Sequence, residues 1–298
     1  MFAYHNVGCR CLPVLLAHGI EVPLLVTHRD DAHERIWFGS VAEVAARSDI
    51  PVITPDDPNA GEIVARVREL KPDFLFSFYY RLMLGPGLLA APGRGAFNMH
   101  GSLLPKYRGR VPVNWAVIRG ERETGATLHE MVVKPDAGRI VGRQSVPILP
   151  DDLAVEVFSK VTVAAELVLD RCLPGLIDGS AQLEQQDLSR GSYFGGRRPE
   201  DGRIDWHAGA RDIHNLVRGV APPYPGAFSD VAGVRLRILR TRREPQRRAR
   251  AGGPGLYHED GRWFADCGDG KVLRLLEFEA TGAALAGHAK SGRKIPFD

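Results

Sequence analysis

Residues 95–109 read Gly95-Ala96-Phe97-Asn98-Met99-His100-Gly101-Ser102-Leu103-Leu104-Pro105-Lys106-Tyr107-Arg108-Gly109. The apolar lead-in, Ala96 and Phe97, predicts a buried strand. Asn98 and His100 stand two apart on it, a spacing that puts both side chains on one face. Gly101 breaks the strand, and 102–109 read as a loop at its carboxyl end, where open α/β sheets place their chemistry. An amide and an imidazole side by side could hold a carbonyl oxygen and move a proton. On its own, an Asn-x-His pair fits structural hydrogen bonding equally well, so the rest of the chain has to decide.

The elements before this stretch alternate. Phe2–Tyr4 reads as the tail of a short strand, His5–Gly8 as a turn and Cys9–His18 as a helix, with Pro13 tolerated in its first turn and Gly19 closing it. A strand at 24–27, a helix at 41–46, a strand at 52–53 and a helix at 63–70 follow. Phe74–Tyr79 is then an apolar, aromatic strand of the kind buried on both faces of a parallel sheet. Strands and helices alternating at this pitch predict a doubly wound α/β domain. His5-Asn6-Val7-Gly8 is no Gly-x-Gly-x-x-Gly fingerprint, which removes the main support for a nicotinamide site.

After the central loop the pattern predicts a helix at 113–119 and a strand at 127–133. Pro135-Asp136-Ala137-Gly138 forms a turn, and a strand at 140–148 completes a hairpin-like unit. A long helix should run from about Leu153 to Cys172, capped by Asp151-Asp152 and stopped by Pro174. Glycines, arginines and Pro199 dominate 189–202, which reads as a linker. Beyond it come a helix at 212–220 and short strand-like runs at 226–229, 234–239, 263–265 and 272–278, the pattern of a small antiparallel barrel.

Composition sets bounds. With 298 residues, 44% hydrophobic and 25% charged, the chain suits a globular protein of two domains or one large one. No apolar run approaches the roughly 20 residues of a membrane span. The amino-terminal residues lack the basic and apolar regions of a secretion signal. Cys9, Cys11, Cys172 and Cys267 form neither a disulfide framework nor a zinc-spaced set, so a reduced, cytoplasmic protein is expected. The formal net charge of +3 argues for no polyanionic partner. Eight arginines between Arg235 and Arg250 could suggest nucleic acid. No aromatic platform interleaves them, so a solvated connection between strands is the expectation.

The run Asn98-x-His100 followed by Ser102-Leu103-Leu104-Pro105 resembles the signature of the folate-dependent formyltransferases. The family's downstream aspartate matches Asp136 in Lys134-Pro135-Asp136-Ala137-Gly138. The resemblance runs nearly end to end. Through Phe2–His5, Phe76–Arg81, His100–Arg110 and Pro225–Ser229 it is closest to the branch that formylates UDP-4-amino-4-deoxy-L-arabinose, half of a bifunctional polymyxin-resistance protein involved in lipid A modification. The family normally carries a few more apolar residues before Phe2, so the recorded start is expected to be internal or the strand truncated. No dehydrogenase–decarboxylase region follows, so a stand-alone enzyme is expected.

The resemblance implies a Rossmann-like doubly wound domain over residues 1–190, a linker over 191–205 and a smaller C-terminal β-barrel, OB-like, over 206–298. It implies Asn98, His100 and Asp136 as catalytic residues. It also implies a folate-lining set of Leu82, Met83, Leu84, Arg110, Val132, Val133, Lys134, Pro135 and Asp136. The substrates would be 10-formyltetrahydrofolate and a nucleotide-linked amino sugar. Methionyl-tRNA or a dTDP-linked amino sugar are the alternative acceptors, and homo-oligomerisation stays open. That chemistry requires no metal, and no histidine–carboxylate set has ligand spacing. His129 and Glu130, alternating on a strand, read as surface or core-edge groups. Lys106, Tyr107 and Arg108 could face either a folate tail or a diphosphate.

Overall fold

A computed structural model describes residues 1–32, 34–280, 285 and 292–298. The chain divides into two compact units: Met1–Pro112 with Glu123–Val146 and Phe158–Gly195, and Val113–Arg122 with Pro147–Val157 and Gly196–Asp298.

The first unit is built on strands β1 (Phe2–Ala3), β2 (Leu25–Val26), β3 (Val52–Ile53), β4 (Phe74–Phe78) and β5 (Gly95–His100), with helices α1 (His5–Ala17), α2 (Val41–Ala46), α3 (Gly61–Glu69) and α4 (Pro86–Leu89) between them. A two-residue strand β6 (Arg108–Gly109) and strands β7 (Glu123–Glu130) and β8 (Ile140–Pro147) follow; helix α5 (Pro112–Ile118), between β6 and β7 in the chain, belongs to the second unit from Val113 on. The sheet order is β3-β2-β1-β4-β5-β7-β8. The first five strands run parallel, and β7 is antiparallel to β5. The expected doubly wound α/β architecture is therefore present. Its strand order reverses between β1 and β4, the switch point beside which such sheets hold ligands.

Three of the expected elements take a different course. The segment 5–8 is the first turn of α1, so Pro13 lies well inside that helix. His5 enters with φ of 65° and its ring stacks on Phe38 at 3.9 Å, a tertiary contact no local pattern reveals. Gly8 suits this packing, because a Cβ there would come to 3.0 Å from the Ala3 Cβ. Next, helix α6 (Ala154–Asp178) runs through Pro174. A proline inside a helix costs roughly 3 kcal/mol, which is offset where Leu169, Leu173 and Leu176 lie buried along one stripe. The helix ends instead at Gly179, whose φ of 81° suits a C-terminal cap. Last, β7 ends at Glu130 rather than at Val133. The ladder with β5 closes there, the bond from Met131 N–H to Ala96 O (2.7 Å) being its final rung. Strand β9 (Tyr193–Phe194) lies within the glycine-rich stretch and pairs with β6.

The second unit holds α7 (Ala210–Val220) and strands β10 (Ala227–Val231), β11 (Val234–Glu244), β12 (Gly255–Glu259), β13 (Arg262–Asp266), β14 (Val272–Ala280) and β15 (Ile295–Pro296). Their order is β10-β11-β14-β13-β12-β15, and the curled antiparallel sheet expected for this region is present. The curl brings the two edges together: Asp298 N–H, just past β15, donates to Asp230 O on β10 at 3.0 Å. Ile213, Val217 and Val220 of α7 pack with Leu236, Ile238, Leu256 and Leu273 of the sheet. Strand β12 has no counterpart in the sequence reading, since Gly255-Leu-Tyr-His-Glu alternates too weakly to announce itself. Among the described residues, no helix is long and apolar enough to cross a membrane.

His5 also gives a test of the fold. Burial among Phe38, Trp37 and Phe158, together with the nearby Arg81 cation, pushes its pKa down from 6.5 to about 3. The folded chain thus holds the ring neutral, while the unfolded chain protonates it below pH 6.5. His5 therefore contributes stability above pH 6.5 that is lost as pH falls towards 3. Thermal melts of the wild type and of His5→Asn, a residue that tolerates positive φ, should show a shallower acid decline in the variant. Equal slopes would exclude this residue as the source.

Candidate active site

Strand register builds the centre. On β5, Asn98 and His100 share a face as expected, and the antiparallel partner places His129 directly across from Asn98 and Thr127 across from His100. His129 is fully buried at this centre, not a surface or core-edge group as its sequence context suggests. Its Nε2 lies 3.1 Å from the Asn98 Nδ2.

Asp136 arrives from the turn after β7. Its Oδ1 is 3.5 Å from His100 Nδ1 and 3.6 Å from His129 Nε2, and its Oδ2 accepts a bond from the Gly109 N–H at 2.8 Å. The turn is held in an unusual conformation, with Asp136 at φ 51°. Gln186, a residue the sequence reading missed, clamps it from outside: its Nε2 donates to Asp136 O at 3.1 Å and to Gly138 O at 2.6 Å.

The loop 102–109 folds back over this centre through its own polar groups. Ser102 Oγ donates to Lys106 O (2.6 Å), Thr127 Oγ1 donates to Ser102 O (2.6 Å) and Leu104 N–H donates to Thr127 Oγ1 (3.2 Å). The His100 Nε2–H donates to Tyr107 O at 2.8 Å. The Tyr107 ring stacks on Phe194 of β9 at 5.2 Å, tying the loop to that strand.

Electrostatics follow from burial. Burial favours the neutral form of Asp136. The His100 and His129 rings and the Gly109 N–H outweigh it and hold the carboxyl well below its usual range, so it is ionised at neutral pH. Burial pushes the His100 pKa down, with Asp136 and the Tyr107 carbonyl opposing. The resting ring is then neutral, with its proton on Nε2 and a free lone pair on Nδ1 beside the carboxylate. That arrangement can take up a proton and stabilise the resulting imidazolium. Among the described residues, no group of three or more His, Cys, Asp or Glu side chains is arranged to hold a metal ion.

The expected folate-lining residues divide. Leu82, Met83, Val132 and Val133 are exposed apolar side chains, the first two in the loop after β4 and the last two in the turn after β7, and Val133 is 72% exposed. Asn59 fixes the first of these loops, donating from Nδ2 to Met83 O (2.9 Å) and accepting from Gly85 N–H (2.6 Å). Leu84 differs: its side chain packs into the core with Phe2, Val67 and Leu88, leaving only its backbone for a ligand. Arg110 and Lys134 are exposed and Pro135 is half-buried. Arg108, in contrast to Lys106, is buried, and its Nε has no hydrogen-bond partner.

Comparison with known proteins supplies the family. The "Formyl transferase" family profile matches residues 16–173, and the profile "Formyl transferase, C-terminal domain" matches residues 197–289. Among solved structures, an N-formyltransferase from Helicobacter canadensis, in complex with folinic acid and dTDP-3-aminofucose, superposes with a TM-score of 0.74 at 19% identity, over 92% of this chain and 97% of its own. WlaRD, a sugar 3N-formyl transferase with dTDP and 5-N-formyl-THF, gives 0.72 at 19% identity, over 92% and 96%. A sugar N-formyltransferase from Shewanella sp. gives 0.63 at 17% identity, over 80% and 94%. The two matched profiles together span most of the sequence, and the chain belongs to the formyl transferase family.

Proposed function

We propose that the chain transfers the formyl group of 10-formyltetrahydrofolate to the 4-amine of a nucleotide-linked amino sugar, with UDP-4-amino-4-deoxy-L-arabinose as the acceptor. The observation that carries the reading is the convergence of Asn98, His100 and Asp136, from two separate segments, on one buried centre. Three demands of the reaction match three groups. Attack of the amine turns the formyl oxygen into an oxyanion, for which the Asn98 amide supplies an N–H donor; one such donor is typically worth roughly 2.7–4 kcal/mol. The attacking nitrogen must lose a proton, and the open Nδ1 of His100 accepts it. The resulting imidazolium lies between the Asp136 carboxylate and the Tyr107 carbonyl, then returns the proton to the departing folate nitrogen. Leu82, Met83, Val132 and Val133 offer exposed apolar surface of the kind that suits a flat pterin ring.

The acceptor is argued from Gly101 and Tyr79. A Cβ on Gly101 would overlap the Tyr79 hydroxyl and come to 3.1 Å from its Cζ, so the Tyr79 ring where it stands requires glycine at 101. The methionyl-tRNA branch usually has alanine at the first position and small residues in the loop at the second, so glycine beside tyrosine sets this chain apart from that pairing. Many arginines of the C-terminal run are also engaged. Arg235 pairs with Asp230, Arg237 with Glu279, and Arg247 and Arg250 with Glu259. A dTDP-linked amino sugar is the second reading, favoured by the dTDP ligands of the Helicobacter canadensis enzyme and of WlaRD.

UDP- and dTDP-linked 4-amino sugars offered together with fresh 10-formyltetrahydrofolate should give the formylated UDP sugar in excess, read by mass spectrometry. Excess dTDP product reverses the choice of base, and absence of any formylated sugar removes the proposal. Asp136→Asn should lower kcat, measured at saturating folate, by about 10² to 10⁴. Gly101→Ala should cost about 1–3 kcal/mol in urea unfolding, and less in a Tyr79→Phe background. A full cost in both backgrounds would show that the two side chains do not compete for that space.

A further inference from the structure

Reaction chemistry accounts for Asn98, His100 and Asp136 but leaves a second buried imidazole, His129, unexplained. Its surroundings fix its proton. The Nδ1 lies 2.8 Å from the Glu130 carbonyl oxygen, an acceptor without a proton, so Nδ1 carries the hydrogen and donates. In the neutral ring Nε2 is then a lone pair, and the group in front of it at 3.1 Å is the Asn98 Nδ2. That contact is a hydrogen bond only if the amide nitrogen, not the amide oxygen, faces the ring. The Glu130 side chain is engaged elsewhere, in a two-pronged pair with Arg139 (2.9 and 3.0 Å). Besides Asn98 and Glu130, the groups facing His129 are Asp136, 3.6 Å from Nε2, and the His100 ring, 6.4 Å away between centroids.

We infer that His129 is a positioning residue that selects one of the two orientations of the Asn98 amide. In that orientation one N–H is held by the His129 lone pair and the second is left for the developing oxyanion. With the amide reversed, the Asn98 oxygen would meet the Nε2 lone pair and both N–H groups would turn away. An asparagine alone does not determine which of its ends faces a ligand, because the two are nearly isosteric. A neighbour that can only accept settles the matter before substrate arrives, which is what preorganised oxyanion stabilisation requires. Cross-strand register makes this contact: Asn98 and His129 are direct partners on β5 and β7. This role rests on the proposed use of Asn98 as an oxyanion donor.

The test uses the full chain with four variants. His129→Ala should lower kcat by about 10², the loss typical of removing one oxyanion donor, with KM for folate nearly unchanged. His129→Gln, whose amide oxygen can accept from Asn98 where Nε2 does, should recover most of it. Asn98→Ala should cost as much as His129→Ala, and the double variant no more than either, because both remove one interaction. Multiplicative losses, or a folded His129→Gln as poor as the alanine variant, would overturn the inference. Melting curves identify a variant that fails to fold, in which case the glutamine variant decides. A readout independent of turnover separates this inference from the proposed function. In long-range ¹H–¹⁵N spectra the His129 Nε2 should resonate as an unprotonated ring nitrogen and shift in Asn98→Ala. A protonated Nε2 refutes the inference whatever the activity. Inactive wild type with the expected nitrogen signal refutes only the function.

Discussion

A carboxylate with little access to water organises this molecule. The Asp136 side chain is 14% exposed, yet ionised, and removing a charge from water is costly unless partners replace the hydration. Here the Gly109 N–H supplies a direct donor, and the His100 and His129 rings stand 3.5 and 3.6 Å away, with His100 able to take up a proton beside the charge. Each partner sits on a different part of the fold. Gly109 ends the loop, His100 ends β5 and His129 lies on β7, so satisfying one negative charge draws three segments into contact. The turn that delivers the carboxylate adopts a left-handed backbone, and such strain persists only where the surroundings over-determine it. Gln186, bound to two carbonyls of that turn, is one of the groups that do so.

How much of this could be read from the sequence follows from which forces are local. Asn98 and His100 could be placed on one face because two-residue alternation is a property of the strand itself. The parallel sheet was legible because fully apolar segments such as Phe74–Phe78 recur between helices. His129 was not legible, because its partner is set by the register between β5 and β7, which are separated in the chain by the whole loop and α5. Pro13 and Pro174 misled for the same reason in reverse. Both are local signals to stop a helix, and in both places tertiary burial is stronger than the local preference. Leu84 shows a third case: its residue type suits a pocket wall and a core equally, and only packing with Phe2 and Leu88 decides.

The arginine-rich segment makes a related point about charge. Counted along the chain it is a basic run, but on the curled sheet its members alternate with carboxylates and aromatic rings. Arg235 lies over Phe228 at 4.4 Å, Arg247 over Phe264 at 4.1 Å and Arg250 over Tyr257 at 3.7 Å. Guanidinium groups in such positions serve as packing material as well as charge. A linear charge count therefore overstates the field this strand presents.

The fit between Gly101 and the Tyr79 ring reaches beyond this one chain. Two side-chain positions that occupy one volume cannot drift independently under mutation. A lineage moving from a bulky ring with a bare backbone to a methyl group with a small loop must alter both, and the intermediate with both groups present is crowded. The clash thus sets an order of change, the ring leaving before the methyl group arrives. Transplanting one residue at a time between branches would then understate how interchangeable their scaffolds are.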